Sequence, residues 1–163
     1  MSAKVFYPAA PHLTSPDGRI AVWYLEPLTM IYEITSEHYS KADALFIAGS
    51  ATRKLRALRQ GSQPGCMVNL LQRVRSYDKE ARTLLIPWTR QNRAEGLVDR
   101  AWVVLGDHAP ALLRMGVNAI VMAMSLPGVV GSPPRVVFGE DGLARVREAF
   151  PFDPHSGVAA AQP

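Results

Sequence analysis

The stretch Met67–Trp88, which reads MVNLLQRVRSYDKEARTLLIPW, constrains the fold more than any other part of the chain. Residues 66–71 form an apolar run broken only by Asn69, which is typical of a strand covered on both faces of a sheet. A polar elbow, residues 73–78, follows the strand. From its end onwards, apolar side chains recur on one helical face: Tyr77, Ala81, Leu84, Leu85 and Trp88. The stretch therefore predicts a buried strand that leads into an amphipathic helix.

Pro87 lies inside this helical pattern. Proline lacks a backbone N–H, and its ring clashes with the preceding turn of a helix. The sequence therefore predicts a kink or a break at Pro87.

Strand and helix patterns alternate along the rest of the chain. Residues 19–25 and 28–35 are rich in β-branched and aromatic side chains, and Glu26-Pro27 between them predicts the turn of an antiparallel hairpin. The other predicted elements are strands at 97–105 and 135–138 and helices at 40–61, 110–125 and 141–150. Ser40 is the predicted N-cap of the first helix, with Asp43 in the capping-box position.

The predicted order is ββαβαβαβα. Strands joined by helices add in parallel because of the right-handed crossover rule. We therefore predict an α/β fold with a mixed sheet of about five strands, an N-terminal hairpin followed by β-α units, and covering helices. The predicted domain organisation is an extended arm at 1–18, a single domain at 19–150 and a disordered tail at 151–163. The arm is predicted to end in the turn Ser15-Pro16-Asp17-Gly18.

Composition narrows the function classes. The chain has 163 residues, of which 48% are hydrophobic, so it can build one ordinary domain with a core. Its one cysteine, Cys66, excludes an internal disulfide framework and, with no signal-peptide pattern at the start, predicts a cytoplasmic location.

The most apolar stretch, 112–130, contains Arg114 and Pro127, so we expect no membrane span. The net charge of +4 is mild, and the densest basic group, 53–59, has no interleaved aromatic residues, so we expect no nucleic-acid partner.

Known catalytic, cofactor and metal motifs are absent from the sequence. There is no HExxH, GxSxG, Walker or GxGxxG pattern, and no two histidines are four residues apart. The strongest catalytic candidate is the pair Asp107-His108, which follows a predicted strand where α/β folds place their sites. A polar turn that precedes the helix at Pro110 is the favoured interpretation of this pair. We therefore predict a protein without enzymatic activity, cofactor or metal.

The elbow carries a resemblance to a known family. Val68-Asn69-Leu70 and the segment from Arg75 to Arg82, RSYDKEAR, resemble the strand-to-helix element of STAS-like domains, the anti-sigma-factor-antagonist superfamily. An uncharacterised bacterial branch of that superfamily is similar in three further segments: Trp88 with Asn92-Arg93, residues 101–107, and Leu113-Arg114-Met115. The resemblance covers residues 19–150 and implies a STAS-like fold.

In the antagonist proteins this elbow is a phosphorylation switch. A serine that directly follows an aspartate is phosphorylated by a partner kinase, and the added charge ejects the bound partner. Asp78 matches that aspartate, but Lys79 occupies the position of the serine. The resemblance therefore implies a regulatory domain that lacks the usual phosphorylatable serine, with Ser76 the only nearby hydroxyl.

The first predicted function is a non-enzymatic protein–protein interaction or regulatory module in bacterial signalling or a cytoplasmic assembly. The predicted partner-binding residues are Arg73, Arg75, Ser76 and Asp78 on the elbow, and Met115 and Met122 on the helix at 110–125. That helix is apolar almost all round, and methionine-rich surfaces adapt to partners. It could form a homodimer interface or lie buried within the monomer, and the sequence leaves both alternatives open.

The second predicted function is a small-molecule or lipid-binding domain of the same fold. In that case the apolar excess of the helix at 110–125 and the interruption at Pro87 would describe a pocket and its lid.

Overall fold

The computed structural model describes residues 10–25, 28–125 and 132–149. The predicted α/β class with a mixed sheet is confirmed. The strands are β1 Leu13–Thr14, β2 Ile20–Leu25, β3 Thr29–Ile34, β4 His38–Tyr39, β5 Gly65–Leu71, β6 Ser76–Tyr77, β7 Val98–Leu105 and β8 Arg135–Phe138. The helices are α1 Lys41–Phe46, α2 Thr52–Leu58, α3 Lys79–Ala94, α4 Ala111–Met124 and α5 Gly139–Ala149. The π-helical segment Ile47–Ala51 joins α1 to α2.

The main sheet has the order β1-β2-β3-β5-β7-β8, and a small second sheet pairs β4 with β6. The pairs β1–β2 and β2–β3 are antiparallel, whereas β3–β5, β5–β7 and β7–β8 are parallel. The predicted hairpin pairing and the parallel addition of helix-linked strands are both confirmed.

The sixth strand comes from the segment predicted to be an arm. Leu13 and Thr14 pair with β2, and the His12 N–H donates to the Val22 carbonyl at 2.9 Å. The predicted turn at 15–18 is present, with the Gly18 N–H donating to the Ser15 carbonyl at 2.9 Å. Gly18 has a φ of 73°, a conformation that glycine adopts without a side-chain clash.

Helices cover both faces of the main sheet. On one face, side chains of α2, α3 and α4 pack against strand residues such as Tyr32 and Met67. On the other face, Leu143 and Val146 of α5 pack against residues of the same strands, including Val68. The central strand β5 is buried along its whole length, as its apolar run predicts.

The first helical region begins as predicted. The Ser40 hydroxyl accepts a hydrogen bond from the Asp43 N–H at 3.1 Å, and the Asp43 carboxylate accepts one from the Ser40 N–H at 2.7 Å. This reciprocal capping box satisfies two N–H groups that an uncapped helix would leave unpaired. Asp43 also forms an ion pair with Arg19 at 3.0 Å, which ties the helix start to the beginning of β2.

The π-helical turn was not predicted. The Tyr24 hydroxyl donates to the Ala51 carbonyl at 2.7 Å, and the Thr52 hydroxyl donates to the Ile47 carbonyl at 2.6 Å. The Ile47 carbonyl also accepts the backbone N–H of Thr52, so the two hydroxyls add side-chain hydrogen bonds at the two ends of the π-helical segment.

The helix α3 runs unbroken through Pro87. Of the two predicted alternatives, a kink or a break, the break is therefore wrong. Pro87 cannot donate to the carbonyl of Thr83, but both residues are exposed, so water can hydrate that carbonyl. On the inner side of the helix, the Trp88 indole N–H donates to the Thr52 hydroxyl at 3.0 Å and holds α3 against α2.

The last predicted strand has the predicted bounds, and α5 begins two residues earlier than predicted. The predicted turn at Glu26-Pro27, the predicted helix terminator at 126–128 and the predicted tail at 151–163 lie outside the described residues. In the part of the chain that the structure describes, every helix is too short or too polar to span a membrane.

Candidate functional site

The four predicted elbow residues lie together between β5 and α3, in residues 73–78, which we call the elbow. Arg73 and Arg75 are exposed, and the Arg75 guanidinium donates to the His108 carbonyl at 3.3 Å. Ser76 is exposed and belongs to β6, and Asp78 precedes the first turn of α3.

His38 joins two of these residues, and sequence analysis missed it. Its Nδ1 lies 2.8 Å from the Ser76 hydroxyl, and its Nε2 lies 2.9 Å from a carboxylate oxygen of Asp78. The parallel pairing of β4 with β6 places His38 directly opposite Ser76. No spacing rule could have found this contact, because 38 residues separate the imidazole from the hydroxyl.

The contacts of His38 connect the Ser76 hydroxyl, the imidazole and the Asp78 carboxylate in a hydrogen-bonded series. The same three groups make up many nucleophilic catalytic sites. Side chains alternate across a strand, so Tyr39 and Tyr77 project to the side opposite His38 and Ser76. Tyr39 and Tyr77 line the cavity described below, whereas His38 and Ser76 do not. The hydrogen-bonded series therefore faces away from that cavity and connects β4 to the elbow.

The Asp78 side chain accepts a hydrogen bond from the start of α1 and none from α3, the helix that it precedes. Its second carboxylate oxygen accepts a hydrogen bond from the Lys41 N–H at 2.7 Å, at the first turn of α1, and the side chain makes no cap bond to α3. This hydrogen bond from Lys41, followed by that from His38, lowers the pKa of Asp78 below its ordinary value. The elbow and α1 are thus joined by one carboxylate.

This lowered pKa predicts acid sensitivity. A carboxylate with a lower pKa in the folded state contributes stability above its unfolded pKa of about 4 and loses it as the pH falls through the folded value. We therefore expect the free energy of unfolding to fall below about pH 4, and to fall less steeply for Asp78→Asn, in urea titrations from pH 7 to pH 3. Asp17 and Glu95 also have lowered pKa values, so some acid sensitivity should remain in the variant.

An exposed substitution is the control for this measurement. Asp141→Asn, at an exposed position on α5, should retain the wild-type pH dependence. Parallel stability curves for wild type and Asp78→Asn would contradict the role assigned to Asp78.

The alternative catalytic pair, Asp107 and His108, makes no acid–base contact. Both side chains are exposed, and no hydrogen bond joins them. The Asp107 carboxylate lies against Gly139 at the start of α5 and occupies the space that a Cβ would need there. The structure thus places the pair in a turn beside the start of α5.

Helix α4 carries an exposed apolar stripe on its outer side. Leu112, Met115 and Met122 are 73%, 65% and 70% exposed, and Ala119 is half-buried between them. The helical spacing of positions 112, 113, 117, 120, 121 and 124 predicts a single apolar stripe on this helix. Leu113 and Val117 are buried as this stripe predicts, but Leu112 is exposed, so its assignment to the stripe is wrong. We call Leu112, Met115, Ala119 and Met122 the outer stripe.

The elbow and α4 adjoin each other. The Tyr77 ring packs against Gly116 so closely that an added Cβ would lie 2.5 Å from its atoms. Arg75 reaches His108, just before α4 begins. The elbow is therefore in contact with the first half of α4 and with the turn before it.

A cavity of about 80 Å³ lies between the sheet and the pair α3–α4. Its sheet side includes Met67, Asn69 and Val103, and its helix side includes Leu85 and Val117. Asn69 donates to the Trp102 carbonyl at 2.7 Å, so its amide N–H₂ already has a partner. The lining is otherwise mostly apolar, with three tyrosines at the end near the small sheet: Tyr32, Tyr39 and Tyr77.

Metal ligands do not converge in the described ranges. No group of three His, Cys, Asp or Glu side chains in residues 10–25, 28–125 and 132–149 could hold a metal ion. Cys66 is buried, and burial raises the pKa of its thiol to about 12, so the reactive thiolate is scarce at neutral pH.

Comparisons with protein-family models, with curated proteins and with solved structures give no match to this chain.

Proposed function

We propose that the chain is a non-enzymatic protein-interaction module that associates with a second copy of itself through the outer stripe of α4. The proposal includes a STAS-like regulatory role, either in bacterial signalling or in a cytoplasmic assembly. The single observation that supports it best is the exposure of three large apolar side chains in one row, Leu112, Met115 and Met122. Contiguous exposed apolar surface on a globular domain commonly marks an interaction site.

The spacing of the outer stripe favours another helix as its partner. Positions 112, 115, 119 and 122 follow steps of three, four and three residues, the seam that two packed helices share. Arg114 is the only charged residue of α4, so the stripe itself carries no charge. A partner with a similar apolar helical seam would cover it.

A second copy provides such a seam through a two-fold axis. If two α4 helices cross antiparallel, Leu112 faces Met122 of the partner subunit and Met115 faces Ala119 of the partner subunit. The same patch then serves both subunits, as two-fold symmetry requires. One contact then joins two large side chains, Leu112 and Met122 of the partner subunit. The other joins the large side chain of Met115 to the small side chain of Ala119 of the partner subunit. The outer stripe is therefore complementary to itself.

The elbow gains a role in the same arrangement. It lies beside the N-terminal end of α4, where Arg75 contacts His108. An antiparallel crossing brings the C-terminal end of the partner's α4 towards it. The C-terminus of a helix carries partial negative charge, which favours the exposed guanidinium groups of Arg73 and Arg75.

The expected affinity is modest. The 14 residues of α4 span about 21 Å, which is short for an interface. Stable complexes commonly bury about 1,600 Å² in total, and an interface centred on one such helix falls towards the low end of that class. We therefore expect a micromolar dissociation constant rather than a nanomolar one.

Cysteine crosslinking tests the antiparallel register. In the variant Leu112→Cys/Met122→Cys, each new thiol should face its counterpart on the second copy, so mild oxidation should give a covalent dimer on non-reducing gels. The native Cys66 is buried and should not react. The single variants should crosslink poorly, because an antiparallel crossing separates each thiol from its own copy.

Two results would count against this arrangement. Efficient crosslinking of Leu112→Cys alone would indicate a parallel crossing. Absence of any covalent dimer from the double variant at high protein concentration would contradict association through the outer stripe.

A further inference from the structure

His12 extends the pairing of β1 with β2 through its side chain. The imidazole Nδ1 accepts a hydrogen bond from the Tyr24 N–H at 2.9 Å, and the His12 N–H donates to the Val22 carbonyl at 2.9 Å. An imidazole nitrogen accepts a hydrogen bond only when it carries no proton, so the ring is neutral and its proton is on Nε2. The side chain thus acts as an additional acceptor for β2, beside the edge strand of the main sheet.

Two further contacts hold His12 against the rest of the fold. Its ring is stacked on the Tyr24 ring, with 6.5 Å between the centroids and 20° between the planes. Lys54 of α2 donates to the His12 carbonyl at 3.3 Å, and the Lys54 ammonium lies 5.3 Å from the centroid of the same Tyr24 ring. Lys54 therefore binds the backbone of His12 and also places a positive charge near the imidazole.

A proton on Nδ1 is incompatible with this arrangement. It would remove the acceptor of the Tyr24 N–H and set two N–H groups against each other. The titratable groups that contact His12 are Tyr24 on β2 and Lys54 on α2. Burial raises the pKa of Tyr24, so its phenol stays neutral, whereas Lys54 is a cation. Burial in the first place, and Lys54 in the second, lower the pKa of His12 below its ordinary value.

The strand that His12 precedes is short and little buried. β1 has only two residues, of which Leu13 is half-buried and Thr14 is exposed, and β2 is its one neighbour in the sheet. Segments with few buried contacts open locally at a much lower free energy than the whole domain unfolds. The contacts of His12 are therefore a large part of what keeps β1 on the sheet.

We propose that β1 is an acid-releasable cover of the β2 edge, in which neutral His12 holds the strand in place and protonation of its imidazole releases it. After release, the six-residue apolar strand β2 becomes the edge of the main sheet, and unpaired edges of this kind pair readily with strands of other chains. This inference goes beyond the proposed interaction function and does not depend on it, because it concerns the β1 edge of the sheet and leaves the outer stripe unchanged.

Release is expected below about pH 6.5, the ordinary pKa of histidine. A histidine whose pKa is lower in the covered state than in the released state binds more protons after release, so acid favours release. The cover is fully stable above the released pKa and loses stability as the pH falls below it. This range lies above the range in which Asp78 is expected to act, below about pH 4.

Amide hydrogen exchange of the full chain, followed by NMR from about pH 7.5 to about pH 5, tests the proposal. After correction for the intrinsic pH dependence of exchange, the protection of the Tyr24 amide should fall about threefold to tenfold, the effect of losing one hydrogen bond. The Val68 amide, in the buried strand β5, is the internal reference and should keep its protection. NMR titration of the His12 ring should give a pKa below about 6.5.

Substitutions assign the response to the imidazole. His12→Asn supplies an oxygen near the position of Nδ1 that does not titrate, so the Tyr24 amide should stay protected throughout the pH range. His12→Phe keeps a ring without an acceptor, so the Tyr24 amide should exchange faster at every pH. Lys54→Gln can still donate to the His12 carbonyl but carries no charge, so the acid response should be smaller. His108→Asn, at an exposed position, is the matched control and should respond as wild type does.

Three results would overturn the proposal. Tyr24 protection that stays constant over the pH range, or that falls in parallel with the protection of Val68, would show that β1 is not released locally. A His12 pKa at or above about 6.5 would remove the cause of release. A full acid response in His12→Asn would assign the response to another group. The first two results come from the wild-type protein, so a variant that fails to fold does not prevent the test.

Discussion

Replacing Met115 and Met122 with glutamate is expected to convert a self-associating protein into a monomer. A fully buried methionine side chain contributes about 1.5–3 kcal/mol, and the two-fold arrangement buries two from each copy. Loss of about 6 kcal/mol would raise the dissociation constant by more than a thousandfold, since about 1.4 kcal/mol corresponds to a factor of ten. Burying carboxylates in the new interface would add a further cost. Sedimentation velocity of Met115→Glu/Met122→Glu should show a monomer at every accessible concentration.

The fold should tolerate these changes. Both methionines are largely exposed, and glutamate is as good a helix former as methionine. Circular dichroism and urea unfolding should therefore match those of wild type. Leu45→Glu is the matched control, because Leu45 is a 51% exposed apolar residue on α1, away from α4. If Leu45→Glu dissociates the protein and the methionine variant does not, association occurs on a different surface.

The largest expected loss of stability follows from Asp43→Ala. One carboxylate oxygen of Asp43 accepts hydrogen bonds from the Ser40 N–H at 2.7 Å, the Ser40 hydroxyl at 2.9 Å and the Arg19 guanidinium at 3.0 Å. Asp43 is 2% exposed, so none of these donors gains water easily when the carboxylate is removed. Loss of a helix cap costs about 1 kcal/mol, and removal of one partner from a buried ion pair costs about 3–5 kcal/mol.

We expect a total loss of about 3 kcal/mol, below the sum of these figures, because the Arg19 side chain is 33% exposed and water can partly replace its partner. Urea unfolding monitored by tryptophan fluorescence would measure this loss. Asp43→Asn, which keeps an acceptor, should lose less, and Glu148→Ala, at an exposed position on α5, should lose almost nothing. Equal stabilities of Asp43→Ala and Glu148→Ala would contradict the capping role.

Local patterns in the sequence were sufficient to predict most of the fold. The apolar run at 66–71 predicts a central strand, and Ser40 with Asp43 predicts a helix start, because each depends on neighbours within a few residues. Four short elements escaped prediction for the same reason. Leu13–Thr14 becomes a strand only through pairing with β2, and β4 and β6 form only by pairing with each other. The π-helical turn contacts Tyr24, which is 27 residues away from Ala51. The break predicted at Pro87 is absent. The free-energy cost of a proline in a helix depends on whether water reaches the carbonyl that the proline leaves unpaired, and the periodicity of the sequence does not reveal this exposure.

The candidate site was only partly predictable. Helix α4 is apolar almost all round, which indicated that some of its methionine side chains need a further surface to pack against. Met115 and Met122 are exposed in the single chain. The assignment of Leu112 failed because the inward stripe and the outer stripe are both apolar, and one helical period fits either. The contact of His38 with Asp78 depends on packing between distant segments, so no spacing in the sequence indicates it.

Sedimentation velocity of the wild-type protein from about 1 µM to about 500 µM tests the central claim most directly. Association through the outer stripe predicts a shift from monomer to dimer within this range, with a two-fold dimer as the largest species. A protein that remains strictly monomeric at the highest concentration would contradict self-association through α4.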